Sequence, residues 1–180
     1  MRNTPTLAGE PPAAATLGVG GRRGVRLGVD AGTVRVGIAV CDLEGTLATP
    51  LETLRRGAGD LDRITALAAE RDVLEIVMGL PVSLSGREGA AAVAARDYAS
   101  ELAERLPAHP DERRLHTVVR LVDERLSTSI AARGMRAAGV TSRRGRSIID
   151  AAAAAVILQG ALDSERATDR PPGEILRGRA

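Results

Sequence analysis

Asp30, Asp123, Glu124 and Asp150 are the residues of this 180-residue chain whose types and placement suit chemistry. Asp30 closes the strand-like run "VRLGVD", Asp123 and Glu124 close "TVVRLVDE", and Asp150 precedes the alanine-rich run "AAAAAVIL". Where strand ends and a helix meet at one edge of a sheet, these carboxylates meet as well. Converging negative charges are unfavourable unless something positive lies among them. A hard divalent cation such as Mg²⁺ or Mn²⁺ takes oxygen ligands and acts on phosphates. With two ions about 3.5–4 Å apart, one activates the attacking water and the other stabilises the leaving oxygen. Each acid also has a plainer reading. Asp150 can cap a helix, Asp30 before Ala-Gly can serve a turn, and Asp123-Glu124-Arg125 can form a surface ion pair.

Residues beside the acids suit a phosphate substrate. Gly32 removes side-chain bulk where a sugar-phosphate backbone would approach, and Thr33 offers a hydroxyl; both also suit a tight hairpin with a glycine at positive φ. Arg125, Arg143, Arg144 and Arg146 bracket the acids in sequence and match bidentate phosphate contacts. Their alternative is a solvated charge run. Ser127 and Thr128 either contact phosphate or cap the next helix. His109 and His116 lie in the polar segment "PAHPDERRLHT" without the spacing of a zinc motif, and read as surface residues.

The elements that must position these groups follow from periodicity. "VRLGVD", "VRVGIAVC" and "TLATPLETLRR" read as three strands with short connections, hence an antiparallel meander. Leu61, Ile64, Leu67 and Ala68 recur at helical spacing. "VLEIVMG" is then a buried strand, "GAAAVAARDYASELAERL" a helix, "TVVRLVD" the last strand, 127–138 a helix and 146–163 the final helix. The expected class is α/β, with a five-stranded mixed sheet flanked by helices. Residues 1–24, rich in Pro, Gly, Ala and Thr, read as a flexible leader. Residues 25–163 form the domain, and 164–180, interrupted by Pro171-Pro172, a flexible tail.

Composition bounds the rest. Hydrophobic residues make up 44% of the chain, enough for a core of its own, but aromatics are only 1%, which nearly excludes base stacking on aromatic platforms. All 25 basic residues are arginine and the net charge is only +2, so affinity for nucleic acid must come from local arginine clusters. Cys41 is the single cysteine, which rules out an internal disulfide or thiolate metal cluster and fits a reducing cytoplasm. No run approaches the roughly 18–20 apolar residues of a membrane span, and prolines and glycines break the start where a signal peptide would be apolar. The expected location is cytoplasmic, with no membrane partner.

Four blocks, "RLGVDAGTVRVGIAV", "IVMGLPVSLSGREGAAAVAARDYASELAERL", "VRLVDERLSTSIA" and "RRGRSIIDAAAAAVILQGALD", together resemble the YqgF/RuvX family of RNase H-like nucleases. Members are also called Holliday junction resolvases and pre-16S rRNA nucleases. The resemblance covers roughly residues 25–163. It implies an RNase H-like fold and a divalent-metal site built from Asp30, an acid of the Asp123-Glu124-Arg125 block, and Asp150. It also implies a nucleic-acid substrate: the 5′ end of the small-subunit rRNA precursor or, in an older reading, four-way DNA junctions. Ser83 and Ser85 depart from the Asn and Asp common in the family, which puts that loop's role in doubt. Ala161 stands where an aromatic is common.

Three rivals are set beside this reading. D-x-G-T also opens the phosphate hairpin of actin-like ATPases, which need two such domains. A non-catalytic RNA-binding scaffold would bind without need of Mg²⁺. A junction resolvase making symmetric cuts would need a dimer, whereas no clear dimer face is legible, so a monomer or weak homodimer is expected.

Overall fold

In a computed structural model of the full chain, the residues described are 22–82, 88–106, 117–124 and 143–176, with the side chains of α3 described from Ile148 onward. The strands are β1 (Arg26–Ala31), β2 (Arg35–Cys41), β3 (Ala48–Arg55), β4 (Glu75–Leu80), β5 (Val118–Asp123) and β6 (Glu174–Leu176). The helices are α1 (Asp60–Glu70), α2 (Ala90–Arg105) and α3 (Arg143–Thr168). The expected helix at 127–138 lies outside the described residues.

The sheet runs β3-β2-β1-β4-β5-β6. β1, β2 and β3 form the expected antiparallel meander, β4 adds parallel to β1, and β5 adds parallel to β4. This is the mixed sheet expected from the sequence. It has six strands where five were expected. The sixth lies in the segment read as a flexible tail, where Leu121 pairs antiparallel with Glu174 and Val119 with Leu176. Gly173 makes that return possible: its φ is +79°, and a Cβ there would lie 2.0 Å from the Leu121 carbonyl oxygen. α3 likewise runs five residues past Asp163, to Thr168.

Alternation along the strands sorts the core into two layers. Leu27, Val29, Val36, Ile38, Ile76, Met78, Val119 and Leu121 face α1 and α2, whose buried stripes are Leu61, Ile64 and Leu67, and Ala92, Ala95, Tyr98, Ala99 and Leu102. Ala39, Cys41, Val77 and Val122 face α3 through Ala154, Ile157, Leu158, Ala161 and Leu162. All six residues of β4 are buried, as a central strand covered on both sides requires. Cys41 is a buried strand thiol, and burial pushes its pKa up.

The far end of the α3 layer is ionic. Arg26, Glu75, Arg120 and Glu165 are all buried. Arg26 Nε bonds Glu75 at 3.2 Å and its Nη2 bonds Glu165 at 3.2 Å, while Arg120 Nε bonds Glu75 at 2.9 Å. Arg22, placed by sequence in the flexible leader, joins them: its backbone N–H and Nε each bond Glu165 at 2.9 Å, and its Nη2 reaches Glu75 at 2.5 Å. Burial would raise the Glu165 carboxyl, but the Arg22 hydrogen bonds and the charges of Arg26 and Arg22 outweigh it and hold the pKa below the ordinary range. Among the described residues, no helix is long and apolar enough to cross a membrane.

Candidate active site at the N-terminal end of α3

The sheet delivers Asp30 on the face that α3 crosses. Asp30 pairs with Gly37 in the β1–β2 ladder, and Gly28, two residues earlier on the same face, packs under Ala154 and Leu158. One turn before Ala154, Asp150 lies over Gly37: a Cβ built on Gly37 would stand 1.9 Å from the Asp150 carbonyl oxygen and 2.3 Å from its carbonyl carbon. Glycine at 37 is therefore what lets the helix backbone rest on the strand. Asp150 is an interior residue of α3, which removes its N-cap reading. Asp30 belongs to β1, with the turn beginning after it.

Strand alternation also separates Asp123 from Glu124. Val122 faces α3 and Leu121 the opposite core, so Asp123 continues the Leu121 side and Glu124 follows Val122. The Glu124 side chain reaches over Gly79 of β4. Its Cγ and Oε1 lie 3.0 and 3.1 Å from where a Cβ on Gly79 would be, beside Ile157 of α3. All four acids are half-buried. Asp30, Asp123 and Glu124 are each partnered, and Asp150 accepts a 2.5 Å hydrogen bond at Oδ2 from Arg35 Nε.

The donor set consists of carboxylate oxygens on one face, the chemistry a hard cation requires. Among the described residues, however, no group of three or more His, Cys, Asp or Glu stands close enough to hold a metal ion. Asp30, Glu124 and Asp150 thus share a face without forming a closed cage, and at Asp150 an arginine supplies the neutralising charge.

The other expected residues are distributed unevenly. Gly32 lies in the β1–β2 turn, its N–H bonding the Arg35 carbonyl at 2.9 Å. It has no positive φ, contrary to the hairpin expectation; a glycine is needed because a Cβ would stand 2.8 Å from that carbonyl oxygen. Thr33 is exposed at the tip. Arg143, Arg144 and Arg146 occupy the first two turns of α3, ahead of Asp150. Arg125 and Thr128 lie outside the described residues. Sequence reasoning missed Arg35, Gly37 and Gly79. The signal for the first two was the pair Arg35 and Gly37, two apart on one strand face, one long and charged and the other absent.

Comparison with known proteins places this arrangement. The family described as RuvX, Holliday junction resolvase, matches residues 24–164. The chain belongs to the RuvX family. Relatives of this RuvX chain carry the name "Putative pre-16S rRNA nuclease". The Thermobifida fusca protein is 51% identical over 87% of this chain and 98% of its own length. The Nocardioides protein is 52% identical over 86% and 97%, and that of Streptomyces coelicolor 50% identical over 85% and 88%. Among solved structures, Thermus thermophilus RuvC in complex with a Holliday junction substrate aligns at a TM-score of 0.46 and 15% identity, over 84% of this chain and 99% of that one.

Proposed function

We propose that this chain is a divalent-metal-dependent nuclease that hydrolyses phosphodiester bonds at the 5′ end of pre-16S rRNA during ribosome biogenesis. The observation that carries the reading is the common face of Asp30, Glu124 and Asp150 at the N-terminal end of α3, where Gly37 and Gly79 clear the space. The names of the relatives supply the substrate.

In this reading Asp30, Glu124 and Asp150 hold Mg²⁺ or Mn²⁺. Glu124 is the ligand of the Asp123-Glu124 pair because it shares the face of the other two, and Asp123 acts by supporting that strand end. A bound cation would supply an activated water and charge stabilisation at the scissile phosphate. The protein's part is orientation: β1 and β5 fix two carboxylates, and the Gly37 contact fixes the third. Gly32 and Thr33 leave room for the sugar-phosphate backbone, while Arg125, Thr128, Arg143, Arg144 and Arg146 contact phosphates along the strand. The reaction takes place in the cytoplasm on a nucleic-acid partner.

The description of the matched family favours a second reading, resolution of branched DNA. One experiment tests both. Purified protein is incubated with a 5′-extended small-subunit rRNA precursor and with a four-way DNA junction, each with Mg²⁺ or Mn²⁺, beside Asp30→Asn and Asp150→Asn. Trimming of the RNA, lost in both variants, is expected. Cutting of the junction alone moves the assignment to the resolvase, and full cleavage by Asp30→Asn overturns the proposed site.

A further inference from the structure

Arg35 opens β2 with its backbone held on both sides. It pairs with Arg55 of β3, its neighbour Val36 pairs with Ala31 of β1, and its carbonyl receives the Gly32 N–H. Alternation puts the Arg35 side chain on the same face as Gly37, under the turn of α3 that carries Asp150. Both members of the Arg35–Asp150 pair spring from fixed backbones, and both remain open to solvent, the side chains being 32% and 22% exposed.

We propose that Arg35 is a positioning residue with two stations: it holds Asp150 as an internal counter-cation until a divalent ion takes that carboxylate, and its guanidinium then turns to a phosphate of the substrate. The inference rests on the nuclease reading above. Its grounds are geometric and electrostatic. Among the described residues, Asp150 is the one hydrogen-bond partner of the Arg35 guanidinium, and Nε alone makes the bond. A doubly charged ion on the same carboxylate puts like charges within a few ångströms of each other, so ion and guanidinium compete for Asp150. The displaced group does not have to cross a packed core, because a third of its side-chain surface already faces solvent. Its planar fork suits a phosphate, and Gly32 and Thr33 of the neighbouring turn are exposed.

A merely structural pair, fastening α3 to β2, predicts the opposite sign at the metal. Losing Arg35 would then loosen Asp150 and weaken ion binding. The test titrates Mn²⁺ alone by calorimetry into the full-length protein and into Arg35→Gln, Arg35→Lys and Asp150→Asn. Arg35→Gln should bind Mn²⁺ five- to tenfold more tightly than wild type, Arg35→Lys should fall between, and Asp150→Asn should bind at least tenfold more weakly. In parallel, affinity for the rRNA precursor is read by fluorescence anisotropy in EDTA and in Ca²⁺. The gain on adding Ca²⁺ should be several-fold smaller in Arg35→Gln than in wild type. Equal or weaker Mn²⁺ binding by Arg35→Gln overturns the proposal. If thermal melting shows that variant unfolded, Arg35→Lys decides by the same sign. Wild-type Mn²⁺ affinity in Asp150→Asn overturns the ligand assignment itself, so failure of the nuclease site is distinguishable from failure of the Arg35 inference.

Discussion

Replacing Gly37 by alanine perturbs the site through a single methyl group. The added Cβ would lie 1.9 Å from the Asp150 oxygen, 2.3 Å from its carbonyl carbon and 3.0 Å from the Ala151 nitrogen, all of them backbone atoms that no rotamer change can move. An ordinary carbon–oxygen contact is about 3.4 Å, so the turn of α3 that carries Asp150 must retreat by about 1.5 Å or the strand must bend by as much. Overpacking of this kind costs about 1–3 kcal/mol, a melting point lower by roughly 2–12 °C for a domain of this size. A displacement near 1 Å of a catalytic group costs on the order of a hundredfold in rate. The expected result for Gly37→Ala is therefore a folded protein whose RNA cleavage falls about 10²-fold while its melting point drops modestly. Gly89→Ala is the control, because a Cβ there meets nothing within 4 Å. Cleavage by Gly37→Ala at the wild-type rate would refute the argument that Asp150 is placed by this contact.

Two further outcomes follow from buried polar groups. Glu165→Gln removes the charge that Arg22 and Arg26 share, and breaking one side of a buried ion network costs about 3 kcal/mol, a fall of roughly 6–12 °C in melting point. Because the folded Glu165 pKa lies below its unfolded value, its contribution is complete above about pH 4.5 and fades as pH falls through the folded value. Urea midpoints of wild type and variant should thus converge as pH falls below about 4.5, and a constant gap would contradict this. Tyr98→Phe removes the 3.1 Å hydrogen bond to Asp60 Oδ2 but leaves Asp60 its Gly57 and Leu61 N–H donors and leaves Arg56 over the ring. The expected loss is about 1–2 kcal/mol, with an unchanged melting curve as the contrary result.

The legible and illegible parts of this fold divide on physical lines. Leu61, Ile64 and Leu67 announced α1, and the alternation of β1 and β2 announced the meander, because in each case one face is buried and the period is written locally. β6 gave no such sign: three residues after Pro171-Pro172 become a strand only because β5 offers an edge and Gly173 permits the turn. Arg22 looked like leader because its partners Glu75 and Glu165 are 53 and 143 residues away. Asp30 and Asp123 lie where the strand pattern put them, at strand ends, whereas Asp150 lies inside α3 and not at its start. The choice of Glu124 over Asp123 as the acid sharing the α3 face needed the pleat of β5, and the Arg35–Asp150 pair needed the register that sets α3 on β2.

α3 behaves as a stiff arm clasped at one end and resting on a notch near the other. The clasp is the Glu165 cluster and the notch is Gly37, about 22 Å apart along the helix axis at 1.5 Å per residue. A retreat of about 1.5 Å at the notch amounts to a tilt of only about 4° about the clasp. Loosening the clasp should in turn swing Asp150 with no change near it. Glu165 and Gly37 are far enough apart for their substitutions to be independent by ordinary standards, but joined by one rigid helix they act as the two ends of a single mechanical part.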